Sequence, residues 1–221
     1  MNYYPAFLNL HGKKAVVVGG GNIAERKILS LLKAGATVTV VSPAMTARLS
    51  REKIKKNIEH IARCYRKGDL RGSVLVVAAT NSPSVNTQIA VDAPSLVNVV
   101  DVPKECSFIA PSVITRGPLT IAISTGGISP AFSKTIRQEL EKIYGPEIGE
   151  YLNFVGSIRK KALAGISDKK KRERFLKDLA AGKTVQSLRT KGFRVVRKAV
   201  EEKLAKLTKT ITEAVAQTPS S

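Results

Sequence analysis

The chain has 221 residues, enough for one full domain, a smaller companion and a sizeable buried core. Its 43% hydrophobic content suits a globular protein, and scarce aromatics with no Trp give no sign of an aromatic stacking platform for single-stranded nucleic acid. A formal net charge of +20 points to polyanionic partners (nucleic acid, acidic membranes or a small polycarboxylate), unless the chain simply runs basic.

The opening stretch, MNYYPAFLNLHGKK, lacks a charged leader with a long apolar run and is not read as a signal peptide. Residues 14–19 (KAVVVG) form a short β-branched run, expected as a buried parallel strand. Ile23, Ile28, Leu31 and Leu32 then recur at helical spacing, and Gly35 stops that helix. A second strand follows at 37–41, broken by Ser42-Pro43, then a polar helix at 47–56 and a third strand at 58–62. VLVVAA at 74–79 reads as the fourth strand and 84–93 as a helix with Val85, Ile89 and Ala90 inward. VNVVDV at 97–102 reads as the fifth. This alternation predicts a doubly wound parallel sheet of the Rossmann type.

After Pro111 the pattern changes. Two strands, 112–116 and 119–125, flank the turn signal Arg116-Gly117-Pro118. Ser129 as N-cap and Pro130 at the first helical position open a helix whose apolar face is Phe132, Ile136, Leu140 and Ile143, with Gly145-Pro146 ending it. The remainder reads as three helices: one with Ile148, Leu152, Val155 and Ile158, one with Phe175, Leu176 and Leu179, and a last one with Val196, Val200, Leu204, Leu207, Ile211 and Val215. Residues 217–221 are expected to fray. Residues 151–221 hold 18 Lys and Arg against 6 Asp and Glu, more than half of the charge excess. No apolar run approaches the roughly 20 residues of a membrane helix, so a soluble, cytoplasmic protein without a membrane partner is expected.

The chemistry concentrates in the glycine cluster. Gly19 permits a tight turn out of the strand, Gly21 lets backbone approach a pyrophosphate, and Ala24 is small enough for close helix packing. The amides that open the helix at Asn22 and Ile23 would face the phosphates; a tight turn without a ligand is the plainer reading. About 20 residues on, where an NAD-binding chain usually carries Asp or Glu, this one has Ser42-Pro43-Ala44. Ser42 could bond a ribose hydroxyl and Arg48 could reach a 2′-phosphate, so NAD and NADP both stay open.

Asp101 is the acid/base candidate, a lone carboxylate at the carboxyl end of the fifth strand, where open α/β sheets bind ligands. A solvated loop Asp or a helix cap would look the same. His11 and His60 are far apart and read as ordinary. Cys64 and Cys106 have no metal-ligand or CxxC spacing, which favours a reducing compartment, with Cys106 a small buried hydrophobe rather than a metal ligand. Residues 124–130 (STGGISP) suit either an anion-holding loop or a tight helix entry.

The ordered motifs GGGNIAERK (19–27), VVSP (40–43), AATNSPSVN (78–86), NVVDVPKECSFIAPS (98–112) and STGGISPAF (124–132) resemble the precorrin-2 dehydrogenase / sirohydrochlorin ferrochelatase family, the N-terminal part of sirohaem synthases. The resemblance covers about residues 3–150 and continues more weakly beyond. It implies an NAD-binding Rossmann domain (1–112), a central α+β dimerisation segment (113–150) and a basic C-terminal helical domain (151–221), assembled as a homodimer. With no methyltransferase domain following, it implies a free-standing form. The implied reaction is NAD-dependent oxidation of precorrin-2 to sirohydrochlorin in sirohaem biosynthesis, with ferrous iron insertion in some members. By the same resemblance Asp101 is the catalytic aspartate, Asn22, Ile23, Pro43 and Ala44 contact the dinucleotide near the Thr80-Asn81 turn, and a serine phosphorylated in some members falls on Thr125. Precorrin-2 carries eight carboxylates, which suits so basic a chain, with Arg159, Lys160 and Lys161 as candidate contacts. Two rival readings are a Rossmann module that senses NAD(H) without chemistry and a nucleic-acid binder; only the net charge speaks for the latter, and no nucleic-acid motif accompanies it.

Overall fold

A computed structural model describes residues 3–215, with side chains described through Thr208. The fraying expected at 217–221 and the inward side chains expected at Ile211 and Val215 lie outside the described residues. By internal packing the chain divides into two compact units, Met1–Ala110 with Gly126–Ile128, and Pro111–Thr125 with Ser129–Ser221.

The first unit is a five-stranded parallel sheet in the order β3-β2-β1-β4-β5. Its strands are β1 (Lys14–Val18), β2 (Thr37–Val41), β3 (Ile58–Ile61), β4 (Leu75–Ala78) and β5 (Leu96–Val99). Helices α1 (Asn22–Lys33), α2 (Ala47–Ile54) and α3 (Pro83–Asp92) connect them. Alternation along β1 explains why its run is apolar throughout. Ala15 and Val17 face a layer holding Ala24, Ile28 and Leu31 of α1 and Leu49 of α2. Val16 and Val18 face a second layer with Ile89 of α3 and Leu70. A strand covered on both faces has no polar side to show.

The expected elements appear with boundaries shifted by a few residues, and β5 departs most. It stops at Val99 rather than running to 102, because the chain doubles back along it. Ser107 N donates to Val97 O at 2.9 Å, and Val97 N donates to Ser107 Oγ at 2.7 Å. Cys106 Sγ accepts from Val99 N and donates to Val99 O, both at 3.2 Å. Asp101 therefore sits in a turn beyond the strand, ahead of a short 3-10 turn at Pro103–Glu105.

The second unit begins with an antiparallel hairpin, β6 (Ser112–Arg116) and β7 (Leu119–Ile123), in register Ser112↔Ile123 to Arg116↔Leu119. Gly117 turns it at a φ of 55°. Helix α4 (Pro130–Ile143) follows, with Ser129 Oγ accepting from Phe132 N at 3.2 Å as its N-cap. Four helices complete the unit: α5 (Pro146–Gly165), α6 (Lys169–Leu179), α7 (Gly182–Lys191) and α8 (Phe193–Val215). The sequence reading had three here, and α7 is the addition. Their shared core holds Tyr151, Ile158, Phe175, Leu188, Val196, Val200 and Leu204. Tyr151 is carried into that core by a hydrogen bond from its hydroxyl to Leu179 O at 2.7 Å, and burial pushes its phenol pKa up.

The hairpin rests directly on α5. A Cβ at Gly149 would stand 2.9 Å from Gly117 N, and one at Gly117 would stand 3.0 Å from Gly149 Cα. The apolar face of α4 is covered less well. Ile136 and Leu140 are half-buried, while Phe132 and Ile143 are 59% and 43% exposed.

Candidate dinucleotide site at the sheet switch point

Strand order reverses between β1 and β4, the point where open α/β sheets bind ligands beyond their carboxyl ends. The glycine turn leaves β1 there. Gly19, at a φ of 127°, passes so close to the end of β4 that a Cβ would overlap the Ala79 carbonyl. Gly20 is as tightly held on the other side, where a Cβ would overlap the Ala44 carbonyl. The sequence reading assigned Gly20 no part of its own; a contact with a residue 24 positions away leaves no local signal. Gly21 differs from both, since a Cβ there would meet nothing within 4 Å. The third glycine faces open space, where a dinucleotide's phosphates need bare backbone.

Gly21 is also the N-cap of α1, and no side chain caps that helix. Asn22 and Ile23 open it, both exposed. The N-terminal amides and the positive end of the helix dipole are thus presented at the turn, a combination that suits a phosphate. These features fit the pyrophosphate of a dinucleotide.

Pro43 and Ala44 lie exposed on the neighbouring loop after β2. Ser42 does not: it is 7% exposed, and its hydroxyl donates to Ala44 O at 2.6 Å. His60 Nε2 donates to Ser42 O at 2.8 Å, so this histidine braces the loop. Arg48 lies 3.8 Å from Glu25, on the first turn of α1. After β4, Thr80 Oγ1 donates to Asn86 Oδ1 at 2.7 Å, and Asn86 Nδ2 returns a bond to Thr80 O at 3.1 Å. Asn86 is buried and fixes the Thr80 turn, a role that nothing in its local sequence announces.

Asp101 is exposed and adopts a left-handed φ of 62°, a conformation that Asp tolerates better than most residues. Its turn straddles the sheet. Val100 and Phe108 pack on the α1 layer, whereas Val102 and Cys106 pack on the α3 layer. Asn98, buried beneath, donates to Phe108 O at 3.1 Å and holds the return of the chain. Lys27 of α1 feels this turn. Burial, then the charge of Arg26, lower its pKa, while Cys106 and Asp101 act the other way.

Elsewhere, Thr125 Oγ1 accepts from Ser129 N at 3.0 Å, which makes it part of the entry to α4. Arg159, Lys160 and Lys161 lie exposed on α5. Among the described residues no group of three or more His, Cys, Asp and Glu gathers as a metal site, and no helix is long and apolar enough to cross a membrane.

Fold and crevice together define an NAD(P)-binding protein of the doubly wound class. A family of NAD(P)-binding domains matches residues 6–112, and the central region of sirohaem biosynthesis proteins matches residues 116–143. The "Siroheme synthase" of Thioalkalivibrio sulfidiphilus is 39% identical over 185 residues, covering 82% of this chain and 38% of that protein. "Siroheme synthase 3" of Aeromonas hydrophila is 41% identical over 178 residues, 79% of this chain and 38% of its own length. Among solved structures, "SirC, precorrin-2 dehydrogenase" superposes with a TM-score of 0.80 at 28% identity, covering 92% of this chain and all of that one. The chain belongs to the precorrin-2 dehydrogenase and sirohaem synthase family. It spans about two fifths of the length of the curated relatives it matches.

Proposed function

We propose that this protein oxidises precorrin-2 to sirohydrochlorin with NAD, in the biosynthesis of sirohaem. The observation that carries the reading is the position of the bare Gly21 turn and of Asp101 along the carboxyl ends of one sheet, in a chain of this family. The nicotinamide supplies the hydride acceptor. The amides at Gly21, Asn22 and Ile23, with Gly19 shaping their turn, hold the pyrophosphate. Pro43, Ala44 and the Thr80 turn frame the rest of the dinucleotide, with Ser42 buried behind them and holding the Ala44 carbonyl. Asp101 accepts the proton that leaves the tetrapyrrole as hydride departs, and passes it to solvent. NAD is favoured over NADP because Arg48, the cation read from the sequence as able to reach a 2′-phosphate, already faces Glu25.

Insertion of ferrous iron, as substrate, releases two pyrrole N–H protons, and the same carboxylate serves that step. Residues 1–112 form the NAD-binding domain and 151–221 the basic helical domain. Residues 113–150 carry a homodimer contact, supported by the exposed Val113, Phe132 and Ile143. Anaerobic incubation with precorrin-2 and NAD, with and without ferrous iron, tests the reading by absorbance. Sirohydrochlorin should form with NAD alone, and sirohaem when iron is added. NAD binding without oxidation would make the chain a sensing module instead.

A further inference from the structure

We infer that Lys27 is a substrate-binding residue whose ammonium receives a carboxylate of the tetrapyrrole beside Asp101. The inference rests on the precorrin-2 reading and adds a residue to it. Lys27 lies three and four positions from the buried Ala24 and Leu31 and next to the buried Ile28, on the side of α1 turned to the sheet. Side chains on a helix lean toward its N-terminus. Here that direction is the carboxyl end of the sheet, where the glycine turn opens. A lysine so placed lays its stem along apolar neighbours and carries its charge to the rim. The residues on either side of Asp101's turn, Val100 and Phe108, pack on the same layer as Ala24 and Ile28.

The ammonium is half-buried, yet it makes no hydrogen bond or ion pair among the described residues. Other partly buried cations are satisfied: Arg63 by Asp69, Arg116 by Tyr144 O, and Arg172 by Ile166 O. A partly desolvated ammonium that feels Asp101 only at a distance, with no hydrogen-bonded partner, gains most when an anion arrives. The dinucleotide's phosphates have their own donors at Gly21, Asn22 and Ile23. A polycarboxylate has another need, because Asp101 repels it. A cation on the same rim offsets that repulsion and adds affinity for the macrocycle beside the carboxylate that takes its proton.

The test uses the full chain with Lys27→Met and Lys27→Gln, which keep the stem, and Lys27→Arg, which keeps the charge. Steady-state oxidation of precorrin-2 is measured against ionic strength, and NAD affinity by calorimetry. Loss of the charge should raise KM for precorrin-2 about tenfold or more, the loss of one charge-assisted contact. kcat and the NAD dissociation constant should hold within about twofold, the KM should respond less to salt, and Lys27→Arg should recover most of the affinity. An unchanged KM in both neutral variants, or an equal loss of NAD affinity, overturns the assignment of Lys27. If the unmodified chain leaves precorrin-2 unoxidised, the functional reading itself fails.

Discussion

Thr46 Oγ1 donates to Glu25 Oε2 at 2.6 Å, so the residue that caps α2 also grips the first turn of α1. The same oxygen accepts from Leu49 N at 3.2 Å, and the Thr46 amide donates to Gly20 O at 3.0 Å. One residue, through its side chain and its amide, thus ties together the loops after β1 and β2. Thr46→Ala should lower stability by about 1–2 kcal/mol, the scale of a lost cap, and weaken NAD binding several-fold as the Gly20 loop loosens. Thermal unfolding and calorimetry check both. Thr46→Ser should restore them, and an unaltered Tm in the alanine variant would remove the brace from the account.

The glycines of the turn should separate by phenotype. Gly20→Ala drives a methyl into the Ala44 backbone and should destabilise the fold, visible as a fall in Tm. Gly21→Val adds its side chain to open space, so the sheet survives and NAD binding collapses. Unchanged NAD affinity in a folded Gly21→Val protein would show that the cofactor binds elsewhere.

Asp101→Asn is the informative change at the acid/base position, because Asn also tolerates the left-handed backbone there. Turnover should fall about 100-fold or more, the scale of a lost general base, with NAD affinity preserved. Near-normal turnover would take Asp101 out of the mechanism.

Acid stability should depend in part on Asp69. Its carboxylate accepts from Arg63 Nη1 at 2.7 Å and Nη2 at 2.6 Å and from Arg66 N at 2.8 Å. The Arg63 hydrogen bond, first among these, holds its pKa below the usual carboxylate range. A group whose pKa is depressed on folding stabilises the native state above its unfolded pKa, about 3.9 for Asp. That contribution is lost as pH falls through the folded value. Asp69→Asn should therefore flatten the decline in stability below about pH 4, measured by denaturant unfolding across pH; an identical profile would refute the linkage.

The exposed apolar face on α4 gives the assembly a direct test. Light scattering should find a dimer at micromolar concentration, and Phe132→Glu, on a residue 59% exposed, should yield a folded monomer. A parent protein that is already monomeric would contradict the proposed contact.

Much of the first unit was legible because its signals are local. A strand, three glycines and a helix occupy consecutive residues, and β-branched runs announce strands covered on both faces. What escaped depends on residues meeting from a distance. The apolar alternation of VNVVDV continues past Val99, and nothing in it reveals that Ser107 and Cys106 return to claim β5's last hydrogen bonds. Helix α7 has only Leu188 fully buried and no side-chain cap, so its periodicity was faint. Asn86 and Asn98 look like surface residues in the sequence, yet each is buried to hold a loop by side-chain to backbone bonds. Ser42 is a further case, a polar residue turned inward by its own bond to Ala44.

The meeting of Gly117 with Gly149 has a mechanical consequence. With two backbones in contact and no side chain between them to compress or slide, the tip of the β6–β7 hairpin has no lever arm of its own. Tilting α5 carries the hairpin with it, and a push on the hairpin is delivered to the helical array undamped. Neither glycine can be enlarged alone without prying the two apart, so the pair behaves as a single hinge-free joint formed by residues 32 positions apart.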